Sequence, residues 1–349
     1  MAISTNKIHV ANGTLYINGD FVPDKEICIN RLPVKYNANA PAPTHWLEFI
    51  NELLEPEDVL TLQEYIGYCL IPTNKAQKML IMIGKGGEGK SRVGLILRTL
   101  LGDNMFSGSV QKLESNRFSL ANLENKLLML DDDMDMNALT KTNIIKSVVT
   151  LEDKTELETK GKQSTQAFLY SRLFLIGNGM LSSLHDRSYG FFRRQIVLQV
   201  KDRNKERNDD PYLIDKMRLE AEGILLWALE GLKRLIANDY CFTISEKSKQ
   251  SLQEAIEDSN NIIQFMNSKG YISLEPRLSS SSKNIYHAYV VWCDDNSLKP
   301  LGCKTFISML KDSAKDYGLV YSNNVPTTYG KSVRGFQNIN VLVRPLGDL

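Results

Sequence analysis

No stretch of the 349-residue chain approaches the run of about eighteen apolar residues that a membrane-spanning helix needs. The opening residues, MAISTNKIHV, lack both the basic and the apolar region of a secretory signal, which argues against export. Cysteine is scarce: Cys28, Cys69, Cys241, Cys293 and Cys303 make an odd number and form no CxxC pair. That excludes a disulfide scaffold and points to a reduced, cytoplasmic protein with incidental thiols. Internal repeats are absent, so a solenoid is excluded. A charge excess is missing too. The 42 Lys+Arg against 41 Asp+Glu leave a net charge of +1, which excludes a basic coat over the whole surface but not a local basic channel.

What is present is an ordinary globular composition, 42% hydrophobic and 24% charged. At about 100–200 residues per domain, the length predicts two or three domains. Residues 1–40 read as short strands and turns around Asn-Gly and Gly-Asp signals. PAPTHWLEFINELL predicts a helix with Thr44 as N-cap and Trp46, Phe49, Ile50, Leu53 and Leu54 on one face. PEDVLTLQEYIGYCL predicts a second helix, stopped by Pro72. From Lys78 onward, short apolar runs (MLIMIG, NKLLML, SRLFLIGN, QIVLQV) alternate with helical patterns. That alternation predicts an α/β domain with a largely parallel sheet. KDRNKERNDD reads as a charged linker, AEGILLWALEGLKRLI as a strongly amphipathic helix, and residues 279–284 as a Ser-rich loop.

The segment Gly84-Lys85-Gly86-Gly87-Glu88-Gly89-Lys90-Ser91 matches GxxxxGK[ST]. In that pattern glycines let backbone N–H groups close round phosphates, the lysine (here Lys90) reaches the β and γ oxygens, and the hydroxyl (Ser91) ligates Mg²⁺. A strand pattern precedes it and a helix pattern follows, as the motif requires. A phosphate loop also needs a second metal group and a means of activating water. Asp131-Asp132-Asp133 follow an apolar run and supply carboxylates at a strand end. Asp131 is read as the metal ligand and Asp132 as the base. The alternative is a helix cap or solvated turn.

Three further features stand between two readings each. Asn178 ends LFLIGN, where it can hydrogen-bond the attacking water or γ-phosphate, or make an Asn-Gly turn. Phe191-Phe192-Arg193-Arg194 enters QIVLQV as a solvated strand edge or as an arginine finger offered to a neighbouring subunit. TELETKGKQSTQAF reads as a hairpin with Lys160-Gly161-Lys162 at its tip, either an exposed turn or a grip on a phosphate backbone.

The order of these motifs resembles the superfamily 3 helicases, AAA+-related motors of DNA viruses, phages and mobile elements. It is most similar to the helicase portion of phage, phage-satellite and plasmid primase-helicases and of the poxvirus primase-helicase. NGTLYINGDFVP, LPVKYNANAPAPTHWLEFI and LQEYIGYCLIP resemble the segment before that motor, and NIIQFMNSKGYI, IYHAYVVWCDDN and KTFISMLKD its C-terminal domain. The resemblance implies an AAA+-like P-loop core at residues 77–240. A small α/β N-terminal domain at 1–76 and a C-terminal winged-helix-like domain at 241–349 would flank it. It implies a homo-oligomeric ring, usually a hexamer, with ATP and Mg²⁺ between subunits and 3′→5′ movement on single-stranded DNA in the channel. Gly84 to Ser91 would hold the nucleotide, with Asp131 and Asp132 in the metal and water roles and Asn178 as sensor. Arg193 would be the finger, ahead of Arg194 and then Arg187, and Lys160 and Lys162 would contact DNA.

The chain departs from that pattern in three places. It reaches Gly84 too soon for a primase domain to precede the motor, so a separate primase or an initiator or loader is expected as partner. Leu151-Glu152-Asp153 stands where a Gly-Asp pair is usual. The three aspartates allow the metal frame to slip by one. Between residues 275 and 349 basic residues outnumber acidic ones, which suits either a wing on origin DNA or a packing domain. The reading is therefore an ATP-dependent replicative helicase in the host cytoplasm. The alternatives are an ATP-regulated, origin-binding initiator without processive unwinding, and a small-molecule kinase using the same loop.

Overall fold

The apolar runs become strands of one parallel sheet. The computed structural model describes residues 4–135, 139, 141–150, 153–181, 183, 189–203, 209–259, 261–326 and 332–343. Arg187, the pair Leu151 and Glu152, and the middle of the charged linker lie outside the described residues. The chain divides into two compact units, Met1–Ala255 and Ile256–Leu349.

The first unit opens with a small antiparallel sheet of β1 (Lys7–Val10), β2 (Gly13–Tyr16) and β3 (Phe21–Val22). Helices α1 (Thr44–Leu53) and α2 (Pro56–Tyr68) follow. Trp46, Phe49, Ile50 and Leu53 form the buried face of α1, as their spacing predicts. The cap differs from expectation. Thr44 is the first helical residue, and its hydroxyl donates to the Ala42 carbonyl. The carboxylate of Glu220 instead accepts the N–H groups of His45 and Trp46, at 3.0 and 3.1 Å. A side chain distant in sequence thus satisfies N–H groups that a helix start leaves unpaired.

Next come β4 (Met79–Ile83), α3 (Lys90–Leu101), β5 (Met105–Ser107), α4 (Val110–Ser115), β6 (Leu128–Asp131) and α5 (Asn143–Thr150). The hairpin predicted from TELETKGKQSTQAF forms as β7 (Lys154–Leu157) and β8 (Thr165–Phe168). The core is completed by β9 (Arg172–Gly177), the short turn α6 (Tyr189–Phe192), β10 (Gln195–Gln199), α7 (Leu213–Leu219) and α8 (Ala221–Ala237). The five-stranded sheet has the order β10-β4-β9-β6-β5, with every neighbouring pair parallel. All residues of β9 are buried, because a strand covered on both faces reads as a continuous apolar run.

One hydrophobic core joins the N-terminal sheet, the two first helices, the five-stranded sheet, α3 and α8. It includes Ile8, Trp46, Leu62, Leu80, Val93, Phe174, Leu198 and Leu225. Helices α2 and α8 approach so closely that a Cβ on Gly67 would lie 2.3 Å from the Ala228 carbonyl oxygen, and one on Gly231 2.3 Å from that of Gln63. No side chain fits between them there.

Helix α9 (Glu246–Ser259) runs through the boundary between the units. The second unit contains α10 (Asn261–Asn267), β11 (Ile272–Ser273), β12 (Ser279–Ser281), α11 (Ser282–Asp295), α12 (Cys303–Asp312), β13 (Val320–Pro326), β14 (Ser332–Gln337) and β15 (Asn340–Val341). An antiparallel sheet β12-β14-β13 and a short β11–β15 pair accompany the helices. Phe265, Tyr289, Trp292, Phe306 and Phe336 form a separate core, with the Tyr289 and Phe306 rings stacked 4.3 Å apart. The stretch predicted as a Ser-rich loop is ordered structure: Ser279–Ser281 pair with β14, and the Ser281 hydroxyl accepts the Asn284 N–H as cap of α11. Serine suits a cap because its oxygen reaches the first free N–H groups of a helix.

Candidate functional site

In a parallel sheet the loops that follow the strands gather along one edge. Between Ile83 and Lys90 the chain makes its glycine-rich loop there. Gly86, Gly87 and Gly89 have φ of 110°, 84° and 105°, a backbone region that residues with a Cβ rarely adopt. Lys90 and Ser91 then begin α3. The Lys90 ammonium donates to Glu88 Oε2 at 2.8 Å, with both side chains buried, and Glu88 Oε1 accepts the Gly86 N–H at 2.8 Å. Burial opposes ionisation of Glu88, but the Lys90 ammonium and the backbone N–H groups of Glu88 and Gly86 outweigh it. Its carboxyl is held below the usual carboxylate range.

The three aspartates part company. Asp131 ends β6 and is buried; its Oδ2 accepts the Val110 N–H at 2.7 Å, and its carboxylate also takes the Asp133 N–H. It therefore caps the start of α4 and does not line the cleft. Asp132 lines the cleft and accepts a hydrogen bond from the Ser91 hydroxyl. Partial burial in the cleft wall raises its pKa, the Asp133 charge adds to this, and Ser91 opposes it. Asp133 also faces the cleft.

The cleft holds about 480 Å³ and is closed on its other side by Gly177 at the end of β9 and by Asn178 after it. The Gly84 N–H donates to the Gly177 carbonyl at 3.3 Å, which sets the exposed Asn178 beside the start of the loop. Two further wall residues, Arg203 and Asp209, come from the stretch read as a linker and pair at 2.6 Å. Lys85 pairs with Asp202 at 2.8 Å, outside the cleft lining and well exposed. Alternating charge in a linker gave no signal for a cleft wall. Nor does the loop pattern assign a partner to Glu88, whose position in it is unrestricted.

The arginine pair lies at the opposite edge of the sheet. In β10, Gln195 is level with Met79 and Gln199 with Ile83, and the Met79 N–H donates to the Arg194 carbonyl at 2.7 Å. Arg193 and Arg194 thus stand where β4 begins, and the glycine loop where it ends. Arg193 is exposed, and the Lys78 ammonium donates to its carbonyl. Arg194 is half-buried, with its guanidinium on the Gly190 carbonyl. The β7–β8 hairpin joins this same edge. Asn74, shortly before β4, donates to the carbonyls of Val148 and Leu169, which flank the hairpin, at 3.0 and 2.9 Å. At its tip Lys160 and Lys162 are exposed around Gly161.

A family of unknown function, DUF5906, matches residues 82–194, the span from the end of β4 to the arginine pair. Among solved structures, the A form apo structure of the NrS-1 C-terminal region is similar at 14% identity and a TM-score of 0.53. It covers 87% of this chain and 77% of that one. A second A form apo structure of the region gives 13% and 0.52, with 87% and 78% covered. Another apo structure of the region gives 16% and 0.55, with 98% and 83% covered. At these identities the likeness is one of fold.

Proposed function

We propose that the chain is the motor subunit of an ATP-driven DNA helicase of the superfamily 3 type, acting in replication as a ring on single-stranded DNA. One observation carries the reading: a glycine loop, a Ser–Asp pair and an Asn converge on one cleft, while an exposed arginine stands at the far end of the same strands. Five strand residues separate the two positions, about 16 Å at 3.3 Å per residue. That is farther than an arginine side chain reaches, so Arg193 meets a nucleotide only across a boundary between copies of the chain. Two or more copies, and in this reading a hexameric ring, are then part of the active site.

In the cleft, the loop N–H groups and Lys90 receive the β and γ phosphates of ATP. The Ser91 hydroxyl and the Asp132 carboxylate are adjacent hard oxygens and fit Mg²⁺, which in such sites is completed by phosphate and water. An ion held by these two groups would supply neutralisation of charge on the phosphates. Asp133, next on the cleft wall, takes the role of orienting or deprotonating the attacking water. The assignment is one residue later than the Asp131 and Asp132 of the sequence reading, because Asp131 already serves the backbone of Val110. Asn178 donates to the water or to the γ-phosphate. Arg193 stabilises the developing charge from the next subunit, and Arg194 supports its turn. Lys160 and Lys162 grip the DNA backbone. The second unit serves as a winged-helix-like accessory, on origin DNA or on a primase or loader.

The test is ATP hydrolysis by the full chain with and without single-stranded DNA, for the unmodified protein, Lys90→Ala and Arg193→Ala. DNA stimulation, loss in both variants, and partial recovery when the two are mixed support a ring motor with a finger in trans. Hydrolysis by a monomer that ignores DNA, lost in Lys90→Ala and intact in Arg193→Ala, sinks it. DNA-indifferent hydrolysis with tight origin binding supports the initiator instead.

A further inference from the structure

Glu88 occupies a position that the loop pattern leaves unrestricted, and loop chemistry calls for N–H groups and a lysine there, not for an anion. Its carboxylate nevertheless takes the donors that a phosphate oxygen requires: the Lys90 ammonium, the Gly86 N–H and its own N–H. Both charged groups lie over Gly84, whose Cβ would come within 3.0 Å of each. The other ion pairs around the loop, Lys85 with Asp202 and Arg203 with Asp209, are well exposed and weak by comparison. Lys90 with Glu88 is buried, where leaving either charge without its partner is costly.

We infer that Glu88 is an internal anion that competes with phosphate for the Lys90 ammonium and the loop N–H groups and determines which ligands enter the site. The inference rests on reading the cleft as a nucleotide site. A single phosphate offers Lys90 no more than the carboxylate already supplies. A nucleoside triphosphate with its divalent cation brings several oxygens, and so also engages Ser91 and loop N–H groups that Glu88 does not use. Lys90 then exchanges one anion for another without standing bare, and the released carboxylate returns to water. Glu88 thus selects polyphosphate over lone phosphate.

The experiment is calorimetric titration of the full chain with MgATP and, separately, with inorganic phosphate. The proteins are the unmodified chain, Glu88→Gln, Glu88→Ala and Lys90→Ala, with melting curves to verify folding. Both Glu88 variants should bind MgATP about tenfold more tightly, the scale of one charge-assisted hydrogen bond. They should also bind inorganic phosphate, which the unmodified chain does not. The upward shift of melting temperature on adding MgATP should be larger in the variants than in the unmodified chain. Equal or weaker MgATP binding in both Glu88 variants overturns the inference, because Glu88 would then position Lys90 rather than compete for it. Phosphate binding by the unmodified chain as tight as that of Glu88→Gln overturns it too. Failure of the nucleotide reading looks different: MgATP binds none of the four, or binds with an affinity that Lys90→Ala leaves untouched.

Discussion

The two edges of the parallel sheet carry the same kinds of residue in opposite states. Where the strands end, cations already have carboxylates: Lys90 has Glu88, Lys85 has Asp202 and Arg203 has Asp209. Where the strands begin, Arg193 is exposed, and among the described residues no carboxylate reaches its guanidinium. Lys78 sits beside it; burial pushes its pKa down, and the Arg193 charge adds to the shift. The lysines of the hairpin tip belong to the same edge. A neutralised pocket suits the exchange of one bound anion for another. In the proposed function, the exposed Arg193 and the lysines of the hairpin tip serve an anion supplied from outside the chain, whether a neighbour's nucleotide or a DNA backbone.

The sharpest way to break this contrast is Arg193→Ala. DNA-stimulated ATP hydrolysis should fall about 10³-fold, the scale of a lost arginine finger, with turnover moving far more than MgATP affinity. Steady-state kinetics paired with equilibrium binding reads the difference, and an equal loss in affinity would put Arg193 in its own cleft. The next largest effect separates the aspartates. Asp132→Asn should lower turnover about a hundredfold and raise the Mg²⁺ concentration required. Asp131→Ala should instead cost about 1 kcal/mol of stability in denaturant unfolding, through the lost cap on α4. The reverse pattern would return the metal role to Asp131.

Smaller effects follow at the hairpin and in pH dependence. Each of Lys160→Ala and Lys162→Ala should reduce the slope of log affinity against log salt for single-stranded DNA by about 0.7. Fluorescence anisotropy at several salt concentrations measures it, and unchanged slopes would make the tip a solvated turn. The smallest effect concerns Asp132, whose pKa lies above the ordinary carboxylate value chiefly through burial. Between its ordinary and its raised value the folded chain holds the proton that the unfolded chain has released. Its contribution to stability is therefore present at lower pH and lost as pH rises. Asp132→Asn should remove that decline and melt slightly higher than the unmodified chain at neutral pH, a shift that calorimetric scans would detect.

The helix face Trp46, Phe49, Ile50 and Leu53, the strands at MLIMI, LMLD, RLFLIG and QIVLQ, and the hairpin were all legible, because periodicity and apolar runs are local signals. The cap of α1 was not, since Glu220 is far away in sequence and Thr44 matched the local pattern. The serines at 279–281 misread for a related reason: a polar strand shows itself only through its partner, here β14. In the site, the glycine-rich turn between a strand and a helix was legible, whereas Arg203 and Asp209 were hidden in a stretch whose composition is that of any exposed linker.

The sequence by itself determined the alternation of strand and helix, the glycine loop with Lys90 and Ser91, and the presence of three carboxylates after a strand. These are properties of neighbours along the chain. Only the tertiary structure decided which carboxylate faces Ser91, that Glu88 closes on Lys90, and that Arg193 stands a strand's length from the loop. The reason is geometric. Successive side chains leaving a strand point in different directions, and what each one meets depends on elements brought beside it by the fold, as Val110 is brought to Asp131.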